Sequence, residues 1–374
     1  MLYFVNFAAN IIQSLFFNEM IPSLQQRIEY FVRLGETLTQ VCDHYYSTDK
    51  DSEQPANVQL IENAIQTSQH KNKWFSEENQ YHMLASWSNL LSEESLKLWL
   101  DGYEIPENND NPKVVAMILA GNIPLVGFHD VLCGIITGNR VKAKLSSDDQ
   151  ILLPAIWEAM KDGYPEVNAM LEFQDFTIKG FDAAIATGSN NSARYFHSYF
   201  SKYPHIIRKN RNSVAVLSGN ESSEELRKLG EDIFSYFGLG CRNVTKLMLP
   251  EGFQINRIFE AIYDFNPIVN HNKYANNYDY HKALWMLNRE DLLDNGFVLF
   301  RRSDALASPV GSVFYDFYSS KQELESYLNE NGEAIQCIVG GEHIPFGEAQ
   351  SPGLSDYADN IDTLEFLLQM NSKN

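Results

Sequence analysis

A cysteine that follows two closely spaced glycines is the first feature of this sequence that could do chemistry. The segment FGLGCRNV, residues 237–244, places Cys241 directly after Gly240. A thiolate is a good nucleophile, and a glycine on its N-terminal side leaves room for a substrate to approach the sulfur. A buried cysteine in a tight turn would have the same local sequence. The segment alone therefore leaves a nucleophilic and a structural Cys241 equally open.

The glycines of this segment do not form a dinucleotide-binding fingerprint. Such a fingerprint, GxGxxG, follows a strand and opens a helix. Gly238 and Gly240 instead follow a helical pattern, and Asn243 occupies the third glycine position. A better phosphate-binding candidate is ATGSN at 186–190, which follows a strand and opens a helix, so that backbone N–H groups and the helix dipole could meet a pyrophosphate. An ordinary capped turn would also have this sequence.

The composition indicates an acidic globular protein. The 374 residues, enough for two domains, carry 29 Lys and Arg against 49 Asp and Glu, a formal charge of −20. A surface of this sign repels phosphate backbones, so we expect no nucleic-acid partner. The nine histidines form no HxxxH or HExxH pattern, and the cysteines form no CxxC, so we expect no metal and a cytoplasmic protein without disulfides. The cysteines are Cys42, Cys133, Cys241 and Cys337.

The first residues, MLYFVNFAANIIQSLFF, are apolar and uncharged. They lack the basic region of a secretory signal and are too short to span a bilayer, so we expect no transmembrane segment. The interpretation is a poorly packed extension, with Met20 as an alternative start. Half of an amphipathic surface helix is the other interpretation of this stretch.

Alternating strands and helices must position the candidate residues. The pattern predicts an α/β fold with a doubly wound parallel sheet, which binds ligands at the carboxyl ends of its strands. Looser strand-like runs at 244–249, 297–300 and 312–317 predict a second α/β domain. Helices are predicted at 24–47, 58–69, 76–100, 125–137, 152–171, 192–203 and 221–237, and strands at 114–120, 140–145, 183–187 and 213–217.

Longer runs resemble the acyl-CoA reductase family within the aldehyde dehydrogenase superfamily, a family that includes the fatty-acid reductase of bacterial bioluminescence. The resemblance runs from about residue 24 to the C-terminus and leaves residues 1–23 outside it. The runs that carry it are MILAGNIPLVGFHDVLCGIITGNRVKAKLSS (117–147), IATGS (185–189), GLGCRNVTKLMLPEGF (238–253), DNGFVLFRRSDALASPVGSVFYDFY (294–318) and PFGEAQSPGLSD (345–356).

The resemblance implies an aldehyde-dehydrogenase-like architecture with an N-terminal helical region. The helices and an NADP-binding domain would occupy 24–212, and a catalytic domain with the nucleophilic cysteine would occupy 213–338. Residues 339–374 would form a C-terminal segment.

The resemblance also implies roles for single residues. Cys241 would be the nucleophile, and the Asn122 side chain, together with the Cys241 backbone N–H, would hold the oxyanion; one such donor typically contributes about 3–4 kcal/mol. Lys144 would bind the adenosine ribose. Asn122 could instead be a turn residue before Pro124, and Lys144 a solvated lysine at a strand end. The residues that would line the pyrophosphate are Thr187, Gly188 and Ser189.

Two departures from relatives bear on the reaction. Many NAD-preferring relatives have a glutamate three residues after the lysine, where this chain has Ser147, so we expect NADPH. Hydrolytic relatives have a glutamate that activates the deacylating water, and counting back from Cys241 places Ile207 there. Without that base an acyl-thioester would survive for hydride attack, so the sequence favours thioester reduction. We hypothesise that Ile206 and Ile207 keep the acyl-enzyme dry. The structural alternative is that both isoleucines are core residues in a strand, where a buried charge would be costly.

The predicted function is an NADPH-dependent acyl-CoA reductase that forms a fatty aldehyde through an acyl-S-cysteine intermediate. The expected partners are an acyl-CoA or acyl-protein donor, an acyl-protein synthetase and further copies of the chain in a homo-oligomer. One alternative is a cysteine acyltransferase or thioesterase without redox chemistry. Another is a non-catalytic scaffold partner of a synthetase, against which the set of Asn122, Lys144 and Cys241 argues.

Overall fold

The computed structural model describes residues 21–49, 51–161 and 163–372, so almost all of the predicted N-terminal extension lies outside the described residues. The described chain divides into two compact units. The first unit runs to Lys209 and includes Gly353–Tyr357 and the residues from Ile361 onward. The second unit comprises Asn210–Pro352 and Ala358–Asn360. The functional domain limits at 212 and 338 stay predictions.

Four helices open the first unit: α1 (Leu24–Tyr46), α2 (Ala56–Lys71), α3 (Glu77–Leu90) and α4 (Glu93–Leu100). Ser23 starts α1 with a capping box, and the apolar face of α1 is buried, as its helical spacing predicts. The single helix predicted over 76–100 is wrong. A second N-cap interrupts it, because the Ser92 hydroxyl accepts a hydrogen bond from the Ser95 backbone N–H and starts α4.

The first unit contains a five-stranded sheet in the order β3-β2-β1-β4-β5, and all its strands are parallel. The order reverses beside β1, which creates the crevice where doubly wound sheets bind ligands. Its elements are β1 (Val114–Ile118), α5 (Phe128–Ile136), β2 (Arg140–Lys144), α6 (Leu152–Glu158), α7 (Pro165–Asn168), β3 (Leu171–Phe173), β4 (Ala183–Thr187), α8 (Asn190–Phe200) and β5 (His205–Arg208).

Two strands of this sheet differ from the sequence-based expectation. The helix predicted over 152–171 ends early, since Pro165 restarts a short helix and Leu171 begins β3. The hydrophobic pattern did not predict β5, because four residues carry little periodicity, although a strand was the alternative interpretation of Ile206 and Ile207. Both strands lie at the two edges of the sheet, where short strands are common.

The second unit contains a six-stranded sheet in the order β11-β6-β7-β10-β9-β8, in which only β8 pairs antiparallel. This second α/β arrangement agrees with the looser strand-like runs of the sequence. Its elements are β6 (Asn212–Val216), α9 (Ser223–Phe234), β7 (Val244–Pro250), α10 (Asn256–Ala261), α11 (Asn272–Leu287), β8 (Leu293–Asp294), β9 (Leu299–Arg302), β10 (Ser312–Tyr318), α12 (Lys321–Glu330) and β11 (Ile335–Val339).

The last helix, α13 (Thr363–Ser372), returns the chain to the first unit. Leu364 and Leu367 on α13 are fully buried in the core of the first unit, together with residues of the N-terminal helices. The C-terminus therefore contributes to a core that is otherwise built from the first half of the chain. Within the described ranges, none of the helices has the length and apolar character that a membrane span requires.

Candidate active site

Cys241 lies in the connection between α9 and β7, just after a tight chain reversal. Tyr236, Phe237 and Gly238 follow one another with φ angles of 52°, 59° and 76°. Left-handed backbone is uncommon outside glycine, so three such residues in succession turn the chain sharply after α9. The reversal leaves Cys241 partly exposed, whereas the other three cysteines are buried.

Asn243 holds the cysteine loop in place. Its side-chain Oδ1 accepts from the Gly240 backbone N–H at 2.7 Å, and its own backbone N–H donates to the Gly240 carbonyl at 3.1 Å. Its Nδ2 donates to the carbonyls of Ser235 at 2.9 Å and Asp232 at 3.1 Å. Asn243 is fully buried, so these bonds have no competition from water. In the sequence, Asn243 stands out only at the third glycine position of an incomplete fingerprint, and no local pattern indicates this role.

A second anchor ties the 345–349 loop, part of a run that resembles the family, to the cysteine segment. The buried Asp232 accepts from the Gly347 backbone N–H at 2.7 Å and the Ala349 backbone N–H at 2.9 Å. Arg242 Nε donates to the Ala349 carbonyl at 2.5 Å. Burial raises the pKa of Asp232 to about 6, although the two N–H donors act to lower it.

The surroundings of the Cys241 sulfur disfavour its ionisation. Burial raises the pKa of the Cys241 thiol, and the nearby Asp359 and Cys337 raise it further. The positive charge of Arg242 and the cysteine's own backbone N–H act in the opposite direction. The net effect is that the pKa of the Cys241 thiol lies above its ordinary value, so the free chain favours the thiol over the nucleophilic thiolate.

The loop after β1 carries Asn122, which is exposed. A Cβ on the preceding Gly121 would lie 2.6 Å from the Ser146 Cβ, so only glycine allows this loop to pack against the turn after β2. Leu125 has a φ of 55° and donates its backbone N–H to Oδ2 of the buried Asp149 at 3.0 Å. These contacts fix the course of the chain on both sides of Asn122.

The predicted cofactor residues lie at the carboxyl ends of β2 and β4. Lys144 is the last residue of β2 and Ser147 is exposed in the following turn, while Thr187 is the last residue of β4. A Cβ on Gly188 would lie 2.9 Å from the Phe196 ring, so glycine allows α8 to start close to the strand. Ser189 caps α8 by accepting from the Ser192 backbone N–H at 3.2 Å.

The structure thus brings all predicted first-unit site residues to one edge of the sheet, at the carboxyl ends of neighbouring strands. The set comprises Asn122, Lys144, Ser147, Thr187, Gly188 and Ser189. Cys241 belongs to the second unit. Their catalytic and cofactor roles stay predictions.

Ile206 and Ile207, the apolar pair predicted to stand where hydrolytic relatives have a glutamate, lie in β5. Ile206 is buried in the core of the first unit, and Ile207 is half-buried on the other face of the sheet. A glutamate at position 206 would therefore bury a charge, as the structural alternative for this residue expects. No group of three or more His, Cys, Asp or Glu side chains that could hold a metal occurs among residues 21–49, 51–161 and 163–372.

Comparison with solved structures shows the fold. The chain is similar to the indole-3-acetaldehyde dehydrogenase AldA of P. syringae in complex with NAD⁺ and IAA, with a TM-score of 0.59, 14% identity, and coverage of 82% of this chain and 70% of that one. It is also similar to aldehyde dehydrogenase C of Pseudomonas syringae in complex with NAD⁺ and octanal. The TM-score is 0.59 at 12% identity, and the match covers 86% of this chain and 73% of that one.

Aldehyde dehydrogenase 21 of Physcomitrella patens, in complex with succinate, gives a TM-score of 0.58 at 12% identity. The match covers 86% of this chain and 74% of that one. At these identities the similarity establishes the aldehyde dehydrogenase fold, which confirms the predicted fold class. The comparison with curated proteins gave no match.

A family model described as acyl-CoA reductase (LuxC) matches residues 24–249, which is more than half of the chain and includes Asn122, Lys144 and Cys241. This match confirms the resemblance that the sequence motifs indicated. The chain therefore belongs to the acyl-CoA reductase (LuxC) family and is an acyl reductase built on the aldehyde dehydrogenase fold.

Proposed function

We propose that this chain reduces a long-chain acyl thioester to the aldehyde with NADPH, through an acyl-S-Cys241 intermediate. The observation that carries the proposal is the exposure of Cys241. Cys241 is the one residue among the four cysteines that is partly exposed, and its loop is held by a buried Asn243. A reactive sulfur must be reached by its substrate, and a fixed loop presents it in one orientation.

The proposed first half-reaction uses the chain's own groups. The Cys241 thiol loses its proton to solvent, and its sulfur forms a bond to the acyl carbonyl carbon while the carbonyl oxygen becomes an oxyanion. Asn122 Nδ2 and the Cys241 backbone N–H donate to that oxygen. The C–S bond to the donor then breaks, the donor leaves as a thiolate, and the acyl group remains on Cys241.

The second half-reaction needs a hydride, which NADPH supplies when bound. After the hydride reaches the acyl carbon, the same donors hold the oxyanion, and the bond to the Cys241 sulfur breaks to release the aldehyde. Because β5 (His205–Arg208) has no carboxylate, this segment lacks the glutamate that activates the deacylating water in hydrolytic relatives. Its absence favours reduction over hydrolysis.

The first-unit residues fit a dinucleotide. Gly188 lets α8, whose eleven residues begin with a serine cap, start close to the end of β4, and a helix start favours phosphate. Lys144 at the end of β2 would hold the ribose. At position 147 a serine hydroxyl, unlike a carboxylate, does not repel a 2′-phosphate, which supports NADPH over NADH.

Several finer features belong to the same proposal. The acyl donor would be an acyl-CoA or an acyl-protein, with an acyl-protein synthetase as a partner and a homo-oligomer as the assembly. Four cysteines without a disulfide suit the reducing cytoplasm.

Mass spectrometry of the intact protein tests the proposal. Incubation with acyl-CoAs of several chain lengths should add one acyl mass without NADPH, and the addition of NADPH should remove that mass and release the aldehyde. If NADPH leaves the acyl mass in place and only fatty acid or a transferred acyl group appears, the chain is a thioesterase or acyltransferase. If no acyl-CoA or acyl-protein modifies the chain, the cysteine mechanism is wrong.

A further inference from the structure

A buried serine connects the backbone of Cys241 to a second cysteine. Ser213 on β6 has no solvent exposure, and its Oγ lies 3.0 Å from the Cys241 carbonyl oxygen. The same Oγ lies 3.0 Å from the Cys337 sulfur and accepts from the Cys337 backbone N–H at 3.2 Å. Cys337 belongs to β11, which pairs with β6 in the sheet.

The direction of these hydrogen bonds follows from the groups themselves. A carbonyl can only accept, so the single hydroxyl proton of Ser213 points to the Cys241 carbonyl. The Oγ lone pairs then accept from the Cys337 backbone N–H and from the Cys337 S–H. In this arrangement the Cys337 S–H donates to the serine oxygen and orients the serine hydroxyl toward the Cys241 carbonyl.

This chain of bonds completes the support of Cys241 on its C-terminal side. On the N-terminal side, Asn243 fixes the Gly240 carbonyl and N–H, as described above. On the C-terminal side, Ser213 holds the Cys241 carbonyl. Because the peptide groups on both sides of Cys241 are held by hydrogen bonds, the orientation of its backbone N–H and of its side chain is restricted.

The strand pairing is irregular beside Ser213 and Cys337. The pairing of β6 with β7 shifts register between Ser213 and Val214. The pairing of β11 with β6 shifts between Ile335 and Ile338, on either side of Cys337. Such irregularities re-aim side chains at sites of function, and here they accompany the contact of Ser213 with Cys337 and the Cys241 carbonyl.

We propose that Ser213 is a positioning residue for the nucleophile and that Cys337 orients it, so that the thiol and the backbone N–H of Cys241 face the acyl carbonyl together. This inference rests on the proposed function, since it assigns a task to residues that do not touch the substrate. The task is geometric, because the serine holds the main chain of Cys241 rather than its sulfur.

The test is a graded series of variants. Ser213→Ala should slow acylation of Cys241 by about 10- to 100-fold, since small misplacement of a reacting group costs rate steeply. The KM for NADPH should not change, because no cofactor residue is altered. Cys337→Ala, which leaves the serine hydroxyl without its S–H donor, should have a smaller effect, and Cys337→Ser should restore the rate because its hydroxyl can also donate.

A readout that needs neither acyl-CoA nor NADPH separates this inference from the proposed function. The backbone N–H of Cys241 lowers the pKa of its thiol, so freeing the peptide in Ser213→Ala should shift the pH profile of iodoacetamide alkylation at Cys241 upward. A merely structural loss of stability would leave this profile in place. Circular dichroism and urea unfolding verify that each variant is folded.

The outcomes are distinct. Folded Ser213→Ala with wild-type acylation rate and alkylation profile overturns the inference and leaves the proposed function intact. If Ser213→Ala does not fold, the two Cys337 variants decide, and equal acylation rates for Cys337→Ala and wild type overturn the inference. Unchanged acylation in Cys241→Ala instead overturns the proposed function.

Discussion

At the scale of single residues, the surroundings of each cysteine decide what its sulfur can do. Cys133 is fully buried in α5, and burial raises the pKa of its thiol strongly. Cys42 is also buried, and its pKa rises to about 11. Cys241 is partly exposed and has the cation Arg242 beside it. Reagents and substrates should therefore react faster with Cys241 than with Cys133 or Cys42, because Cys241 is more accessible and has a positive charge beside it.

The first prediction concerns the nucleophile. Cys241→Ala should abolish both covalent acylation and aldehyde formation, because no other exposed thiol can accept the acyl group. Cys133→Ala, the matched control, should retain both, since that sulfur only fills the core. Intact-protein mass spectrometry and an aldehyde assay measure the two. Persistent acylation of the Cys241 variant would remove the basis of the mechanism.

The second prediction concerns pH. Because the pKa of the Cys241 thiol is raised, little thiolate forms at neutral pH, and the rate of alkylation by iodoacetamide should rise with pH until it levels off above the pKa of an ordinary cysteine, about 8.5. Arg242→Gln removes a positive charge that favours the thiolate, so the midpoint should move further up. Peptide mass spectrometry reports the site. A midpoint near neutral pH would contradict the raised pKa of the Cys241 thiol.

The third prediction concerns cofactor choice. Turnover should be better with NADPH than with NADH, and Ser147→Glu should shift the preference toward NADH, because the new carboxylate would repel the 2′-phosphate of NADPH. Asp148→Asn is the matched control, since it changes charge one residue away and should leave the preference unchanged. The ratio of kcat/KM for the two cofactors measures the effect. A wild-type preference for NADH would refute the ribose argument.

At the scale of elements, the turn from β4 to α8 is shaped by one glycine. Gly188 lets the Phe196 ring of α8 approach the end of the strand. The Gly188 backbone N–H also donates to the Arg208 carbonyl at 3.3 Å, which ties this turn to β5. The position of the helix start, where a phosphate would bind, thus depends on a residue without a side chain.

The fourth prediction follows from this contact. Gly188→Ala would place a methyl group 2.9 Å from the Phe196 ring, so α8 or the ring must move, at a cost of about 1–3 kcal/mol in unfolding free energy. We expect the Kd for NADPH to rise while the rate of Cys241 acylation stays unchanged. Gly102→Ala, where the added methyl meets no atom within 4 Å, is the control. An unaltered NADPH affinity in Gly188→Ala would contradict the assignment of this turn to the cofactor.

At the scale of the whole molecule, the first unit contains residues from both before and after the second unit in sequence. The helix α13 follows all of the second unit in sequence, yet its Leu364 and Leu367 are buried with residues of the N-terminal helices. The Thr363 hydroxyl at the start of α13 accepts from Arg208 at 2.7 Å, and Arg208 also pairs with Asp130 on α5. The first unit therefore needs both ends of the chain.

The fifth prediction tests that dependence. Leu367→Ala should lower the unfolding free energy of the first unit by about 2–5 kcal/mol, the usual range for removing a buried leucine. Tryptophan fluorescence during urea unfolding reports mainly on this unit, because Trp285 alone of the five tryptophans belongs to the second. Leu98→Ala, at a residue that is 79% exposed, is the control. Equal midpoints for the two variants would show that α13 does not stabilise the first unit.

The sequence by itself was sufficient for the fold class, the family and the acyl reductase activity, because contiguous runs such as those around Asn122 and Cys241 carry the motifs. It also predicted most strands and helices of the first sheet, since their hydrophobic periodicity is local. It offered β5 only as an alternative for Ile206 and Ile207, because four residues are too few for a pattern.

Only the tertiary structure decided which residues hold the cysteine loop. Asp232 meets Gly347 across 115 residues of sequence, and Ser213 meets Cys337 across 124. A serine or an aspartate in a strand or helix pattern gives no sign of such a partner, because a hydrogen bond depends on distance in space and not along the chain. The support of Cys241 is therefore a property of the folded second unit, whereas the cysteine itself could be found in the sequence.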